Sequence, residues 1–77
     1  MGVFRLDFPT RLNELISQRE ISAYRLSKDT GITERLIGYW RQGEKQPTKD
    51  NLIKLADYFD VSVDYLLGRT DNPAVNK

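Results

Sequence analysis

In the stretch GITERLIGYWRQGEKQP, Gly31 to Pro47, the residues Glu34, Arg35, Gly38, Tyr39 and Gln42 fall on one side of a helix. Leu36, Ile37 and Trp40 fall on the other. The first side offers a carboxylate, a guanidinium, a phenol and an amide, which can hydrogen-bond to a partner. Covalent chemistry is poorly served, because the chain has no Cys and no His. The usual general base, the commonest neutral metal ligand and any thiolate are therefore missing. Asp29 and Glu34 lie close in sequence, but the simpler reading is two surface charges. No Gly-rich phosphate loop is present. An enzyme, a cofactor and a metal site are not expected. Gly38 is the odd member of this face, since Gly costs about 1 kcal/mol relative to Ala inside a helix.

The elements that must hold this face can be read from caps and apolar spacing. Thr33 is an N-cap for a helix over Glu34–Gln42, and Gly43 stops it. Ser22 caps a preceding helix over Ala23–Thr30, with Tyr24 and Leu26 as its larger apolar members and Gly31 ending it by a positive φ. Two helices of this length joined by a tight Gly turn suggest a helix-turn-helix. Ser27 is small enough for their contact, Ile32 plugs the turn, and Ile37 and Trp40 anchor the second helix. Before them, Pro9 opens a helix to about Arg19, with Leu12, Leu15 and Ile16 on one face. After them, Thr48 caps a helix over Lys49–Phe59, where Leu52, Leu55, Ala56 and Phe59 make an amphipathic stripe. Ser62 caps a last short helix over Val63–Leu67, ended by Gly68. Residues 1–7 read as an arm with Val3, Phe4 and Leu6 as anchors. Residues 8–69 read as the domain and residues 70–77 as a flexible polar tail. No long period-two segment predicts a strand.

The chain has 77 residues and a formal net charge of +1. A domain of that size buries only about 60–65% of the surface its unfolded chain exposes. Charge is unevenly placed: Arg19–Lys54 holds eight basic and five acidic residues, whereas Leu55–Asp71 holds four acidic and one basic. Ordinary solvated surface accounts for this as readily as a partner does. No apolar run approaches the roughly 18 residues of a membrane span. Arg5 and Asp7 come too early for a secretory leader, and MGVFRL lacks the Ser or Thr of a myristoylation signal. Lack of cysteine fits a reducing compartment, and the expected location is cytoplasmic.

The segment from Ile21 to Thr70, with the helix before it, resembles the phage-repressor (Cro-like, Xre-type) DNA-binding domain. The resemblance covers about Phe8 to Thr70. It rests on the joint framework of Leu26, Ser27, Gly31, Ile32, Ile37 and Trp40, the turn from Gly43 to Pro47, NLIKLADYF and VSVDYLLG. It implies an all-α, compact five-helix lambda-repressor-like fold. It also implies a sequence-specific regulator, a repressor that binds double-stranded DNA as a homodimer, in a bacterial or phage-type, nucleoid-associated setting. By the same resemblance, the helix over Glu34–Gln42 enters the major groove, and Thr33, Glu34, Arg35, Gly38 and Tyr39 stand at base-reading positions. Ser22, Arg41, Lys45, Gln46 and Lys49 stand where the DNA backbone is met, with Arg25 and Lys28 as weaker candidates. Tyr65 and Leu66 stand near the family's dimer contact, although Leu66 also suits the core; Tyr58 and Tyr65 are each open to either role. For Gly38 two accounts remain: closer approach to a groove, or a position that tolerates anything.

Three residues depart from the family pattern. Ala23 replaces a frequent phosphate-binding Gln, Glu20 replaces a frequent turn Gly, and Arg41 stands where Glu is common. A rival reading keeps the fold and changes the use: an antitoxin or other protein-interaction module whose acidic last helices meet a protein partner. Arg35 on an open face and the basic turn after it favour DNA. With no ligand-binding domain following, any signal is expected to act through a partner or through protein concentration. Operator, target genes and inducer are not written in these residues.

Overall fold

Each helix begins where a short polar side chain reaches back over its own first turn. A computed structural model describes residues 7–74. Among them are five helices and no strand: α1 Phe8–Gln18, α2 Ala23–Thr30, α3 Glu34–Gln42, α4 Lys49–Phe59 and α5 Val63–Leu66. Ser22, Thr33, Thr48 and Ser62 each accept a hydrogen bond from the backbone N–H three residues on. These four caps match the sequence reading. Asp7 caps α1 by accepting from the Thr10 amide at 3.1 Å, so the helix opens one residue before Pro9. The anchors expected at Val3, Phe4 and Leu6 lie outside the described residues.

Helix ends are set by left-handed residues. Gly31 (φ 80°) and Gly43 (φ 76°) close α2 and α3, and Asp60 (φ 57°) closes α4. Glu20, at φ 54°, does after α1 what the family leaves to glycine. A non-Gly residue in this region costs roughly 1–2 kcal/mol. The turn is closed by Ile21 N–H donating to Ile16 O at 3.2 Å.

The helices pack around Leu12, Leu26, Ile37, Trp40, Leu55, Phe59 and Leu66, none of which is exposed to solvent. Trp40 meets the Phe8 ring edge-on, with centroids 5.9 Å apart. In this way α1 supports α3, α2 packs on α3 from its other side, and α4 packs on α2 and α5. Two sequence expectations change here. Tyr24, read as an apolar member of α2, is 57% exposed, its ring met by the Lys28 ammonium at 5.7 Å rather than by the core. Tyr65 and Leu66, read as a dimer contact, are buried at 8% and 0% exposure, so neither offers a surface to a second copy.

Tyr65 is covered by a buried cation. The Arg11 guanidinium lies 3.9 Å from the centroid of its ring. The same group donates to the Thr70 carbonyl and the Asp71 carboxylate, each at 3.4 Å. Ser62 N–H donates to Pro73 O at 3.1 Å. Residues 70–74, read as part of a flexible tail, thus run back across α5 and α1; the rest of that tail lies outside the described residues.

Candidate nucleic-acid interface

Ile37 and Trp40 seat α3 in the core, and this fixes which residues it turns outward. Thr33, Glu34 and Arg35 are exposed, and Gly38 and Tyr39 are half-buried. Among the described residues, no hydrogen bond or ion pair engages the side chains of Glu34 or Arg35. The Thr33 hydroxyl accepts from the Leu36 amide at 3.2 Å, which leaves its own O–H free to donate.

The face divides into two flanks. On one, Thr33, Arg35, Leu36, Tyr39 and Lys45 line a shallow depression. There the Lys45 ammonium sits 4.9 Å from the Tyr39 ring centroid, a cation–π contact that steers a long side chain from the turn back toward the helix. On the other flank, Gly38, Arg41 and Gln42 line a depression with Asn13 of α1. A Cβ built on Gly38 would meet nothing within 4 Å, so internal packing does not require glycine there.

The remaining backbone candidates are at the edges of this face. Ser22 is exposed at the start of α2, its hydroxyl accepting from the Arg25 amide at 3.0 Å. Gln46 and Lys49 are exposed in the turn and first residue of α4. Arg41 is exposed, and its Nε donates to Asn13 Oδ1 at 2.6 Å. Arg25 is engaged elsewhere: its Nε donates to Asp29 at 2.9 Å. Tyr58 O–H donates to the same carboxylate oxygen at 2.7 Å, tying α4 to α2. These bonds hold the Asp29 carboxyl below its ordinary range, through Tyr58 first and Arg25 second. They raise the Tyr58 phenol, since ionising it would break its bond to Asp29.

A helix-turn-helix presenting an outward polar face, with Lys45 in the turn after it and Arg41 and Lys49 on either side, has the layout of a groove-binding module. The family model for the Cro/C1-type HTH DNA-binding domain matches residues 11–72. The chain belongs to the Cro/C1-type helix-turn-helix family. Within this family it is similar to the HTH-type transcriptional regulator YobD of Bacillus subtilis (strain 168), with 38% identity over 63 residues, covering 82% of this chain and 56% of that protein. It is also similar to an HTH-type transcriptional regulator of Haemophilus influenzae, with 33% identity over 60 residues, covering 78% of this chain and 25% of that protein. A crystal structure of a transcriptional regulator from Listeria innocua superposes with a TM-score of 0.76 at 28% identity, over 84% of this chain and 61% of that one. The chain therefore spans about half, or a quarter, of the length of these two curated relatives. As a Cro/C1-type domain it is a DNA-binding unit. Among the described residues, no helix is long and apolar enough to cross a membrane.

Sequence reasoning missed Asn13 and Tyr24. Asn13 is polar on an otherwise amphipathic helix, and nothing local marks its partner 28 residues away. Tyr24 sits next to a small residue in a short helix, where apolar character alone does not fix its direction.

Proposed function

We propose that this domain reads double-stranded DNA with α3 in the major groove and represses transcription by occupying a twofold-symmetric operator. The observation that carries the reading is the open face of Glu34 and Arg35, without a hydrogen-bond or ion-pair partner among the described residues and held by buried Ile37 and Trp40. Arg35 donates two hydrogen bonds to guanine O6 and N7, the commonest base-specific contact. Glu34 accepts from cytosine N4 and repels phosphates when the register is wrong. Thr33 meets a phosphate or a thymine methyl. Tyr39 packs on the backbone with Lys45 beside its ring, and Lys45, Gln46, Lys49 and Ser22 hold phosphates and so set register.

One recognition helix covers too few base pairs for useful specificity, so the working unit is a dimer on DNA. Its half-site centres lie about 34–36 Å, or 10–10.5 base pairs, apart. With Tyr65 and Leu66 buried, the contact falls to the α4–α5 groove, lined by Ile53, Ala56, Val61 and Val63 and edged by Asp57 and Asp64. A twofold contact there would bring like charges together. The dimer is accordingly weak in free solution and assembles on the operator. The same acidic edge favours a second reading, a protein partner that brings basic residues to this groove.

Selection of bound duplexes from a random pool, followed by titration with stoichiometry read by ultracentrifugation, tests the proposal. Two copies per site are expected, with affinity lost when five base pairs are inserted between the half-sites. One copy per site, indifferent to spacing, would overturn the dimer and favour the partner reading. Transcription from a promoter overlapping the selected site should fall as protein is added; unchanged transcription would remove the repressor role.

A further inference from the structure

Asn13 makes two bonds to one residue of α3. Its Oδ1 accepts from Arg41 Nε at 2.6 Å, and its Nδ2 donates to the Arg41 carbonyl at 3.2 Å. That carbonyl belongs to the last turn of α3, where no helical N–H remains to meet it. The neighbouring carbonyls of Tyr39 and Trp40 are taken by the amides of Glu44 and Gly43. Asn13 therefore completes the helix end and fixes the direction of the Arg41 side chain with one planar group. With Nε engaged, Nη1 and Nη2 of Arg41 have no hydrogen-bond partner among the described residues, and the side chain is exposed.

Gly38 lies one turn before Arg41 on the same flank and opens the depression that Asn13, Arg41 and Gln42 complete, about 390 Å³ in volume. A guanidinium with two free, parallel N–H donors matches two oxygens of a phosphate.

We propose that Asn13, Gly38 and Arg41 form a seat for one DNA backbone phosphate: Arg41 binds it, Asn13 is the positioning residue that aims Arg41, and Gly38 leaves the room. The proposal rests on the docking of α3 argued above. It gives Gly38 a purpose, because a side chain there would fill the space the phosphodiester needs.

The test measures binding of Asn13→Ala, Arg41→Ala, the double variant and Gly38→Leu to a selected operator duplex and to an unrelated duplex of equal length, over a range of salt. Arg41→Ala should weaken both duplexes by a similar factor, about five- to tenfold. Its salt slope should fall by about one unit, the signature of one lost phosphate contact. Asn13→Ala should weaken both duplexes less, and the double variant should bind no worse than Arg41→Ala alone. In an Arg41→Lys background, which has no Nε but keeps the carbonyl that Asn13 caps, Asn13→Ala should weaken binding by a smaller factor than it does beside Arg41. Gly38→Leu should weaken both duplexes.

Losses that multiply in full in the double variant, or an effect of Asn13→Ala that is undiminished in the Arg41→Lys background, would show that Asn13 does not act through the Arg41 side chain. A loss confined to the operator would make Arg41 a base reader and overturn the phosphate seat. Unchanged binding by Gly38→Leu would remove Gly38 from it. Arg35→Ala and Lys45→Ala run alongside: if they too leave binding unchanged, the docking of α3 fails, whereas if they weaken it while the Asn13 and Arg41 variants do not, the seat alone fails.

Discussion

The two sides of α3 are built by opposite rules. Inward, Ile37 and Trp40 are wholly buried, and their neighbours Leu12, Leu26 and Leu55 are equally sealed. Such a surface is judged by volume, because a lost methylene forfeits both transfer energy and packing. Outward, Glu34 and Arg35 have no hydrogen-bond or ion-pair partner among the described residues. Their cost to the fold is small, and their value is decided by a partner. Stability and, on the proposed reading, recognition are carried by residues as few as two positions apart on the same helix, Arg35 and Ile37, and can be changed separately.

The largest expected effect attacks the inward side through its neighbour. Leu55→Ala should lower unfolding stability by about 2–5 kcal/mol, the range for a buried Leu. Arg35→Ala should stay within about 0.5 kcal/mol of wild type, as exposed substitutions do. Urea melts of both variants check this. A Leu55→Ala loss under about 0.5 kcal/mol would mean that the buried face of α4 has been misassigned and, with it, the seating of α3.

The outward side should show the reverse. Arg35→Ala should cost about 1–3 kcal/mol of operator binding and relax preference at one base pair per half-site. Lys45→Ala should weaken all duplexes alike and lower the salt slope by about one unit. Titrations on operator and unrelated DNA separate the two. If both variants lose equally on both DNAs, α3 is not the reader.

How far the sequence disclosed this division depends on the range of each interaction. The caps Ser22, Thr33, Thr48 and Ser62 were legible because each contacts a backbone amide three residues on. The stripe of Leu52, Leu55, Ala56 and Phe59 was legible because helical period alone places it. Arg11 was not legible: a basic residue on α1 reads as surface, and only the return of Thr70 and Asp71 buries it over Tyr65. Asn13 with Arg41, and Asp29 with Tyr58, are likewise pairs that the fold brings together from 28 and 29 residues apart. Tyr65 stayed open between surface and core, because its place on the last short helix suits either and the buried cation above it could not be foreseen. The open face of Thr33, Glu34 and Arg35 was legible because burying Ile37 and Trp40 leaves those side chains nowhere else to point.

Two backbone positions sharpen the comparison at a smaller scale. Gly38 has open space around its missing Cβ, so Gly38→Ala should stabilise α3 by about 0.5–1 kcal/mol through helix propensity. A gain in stability together with weaker DNA binding would show a glycine kept for the partner. Glu20 is held at φ 54°, and Glu20→Gly relieves that strain while adding unfolded-state freedom, for a net gain of about 0.5–1 kcal/mol. Thermal melts measure both. A Glu20→Gly variant less stable than wild type would mean that the side chain contributes more than its conformation costs.

The smallest expected effect concerns polar surface that the protein keeps for itself. Asp29 and Arg35 both belong to the helix-turn-helix unit and both are exposed, but Asp29 accepts hydrogen bonds from Tyr58 and Arg25. Its pKa is lowered below 3.8, first by Tyr58 and then by Arg25. Asp7 is lowered likewise by its bonds from Thr10. A lowered folded-state value means that the unfolded chain takes up protons first. The stability contributed is therefore present above about pH 4 and lost as pH falls through the folded values. The Tyr58 phenol shifts the other way, above 10.0, so its share is present below that pH and lost as pH rises through its folded value. Between these limits the α2–α4 tie should be insensitive to pH, and because it is exposed it should weaken as salt screens it. Urea melts of wild type and Asp29→Asn from pH 7 to pH 3 test the acid side. The stability difference between them should be greatest near neutrality and shrink as pH drops below about 4. Arg35→Asn, at a position with no partner among the described residues, should show no such trend. A wild-type advantage over Asp29→Asn that stays constant down to pH 3 would mean that the Asp29 charge does not make the tie, and that its exposed carboxylate is as free of the fold as Arg35.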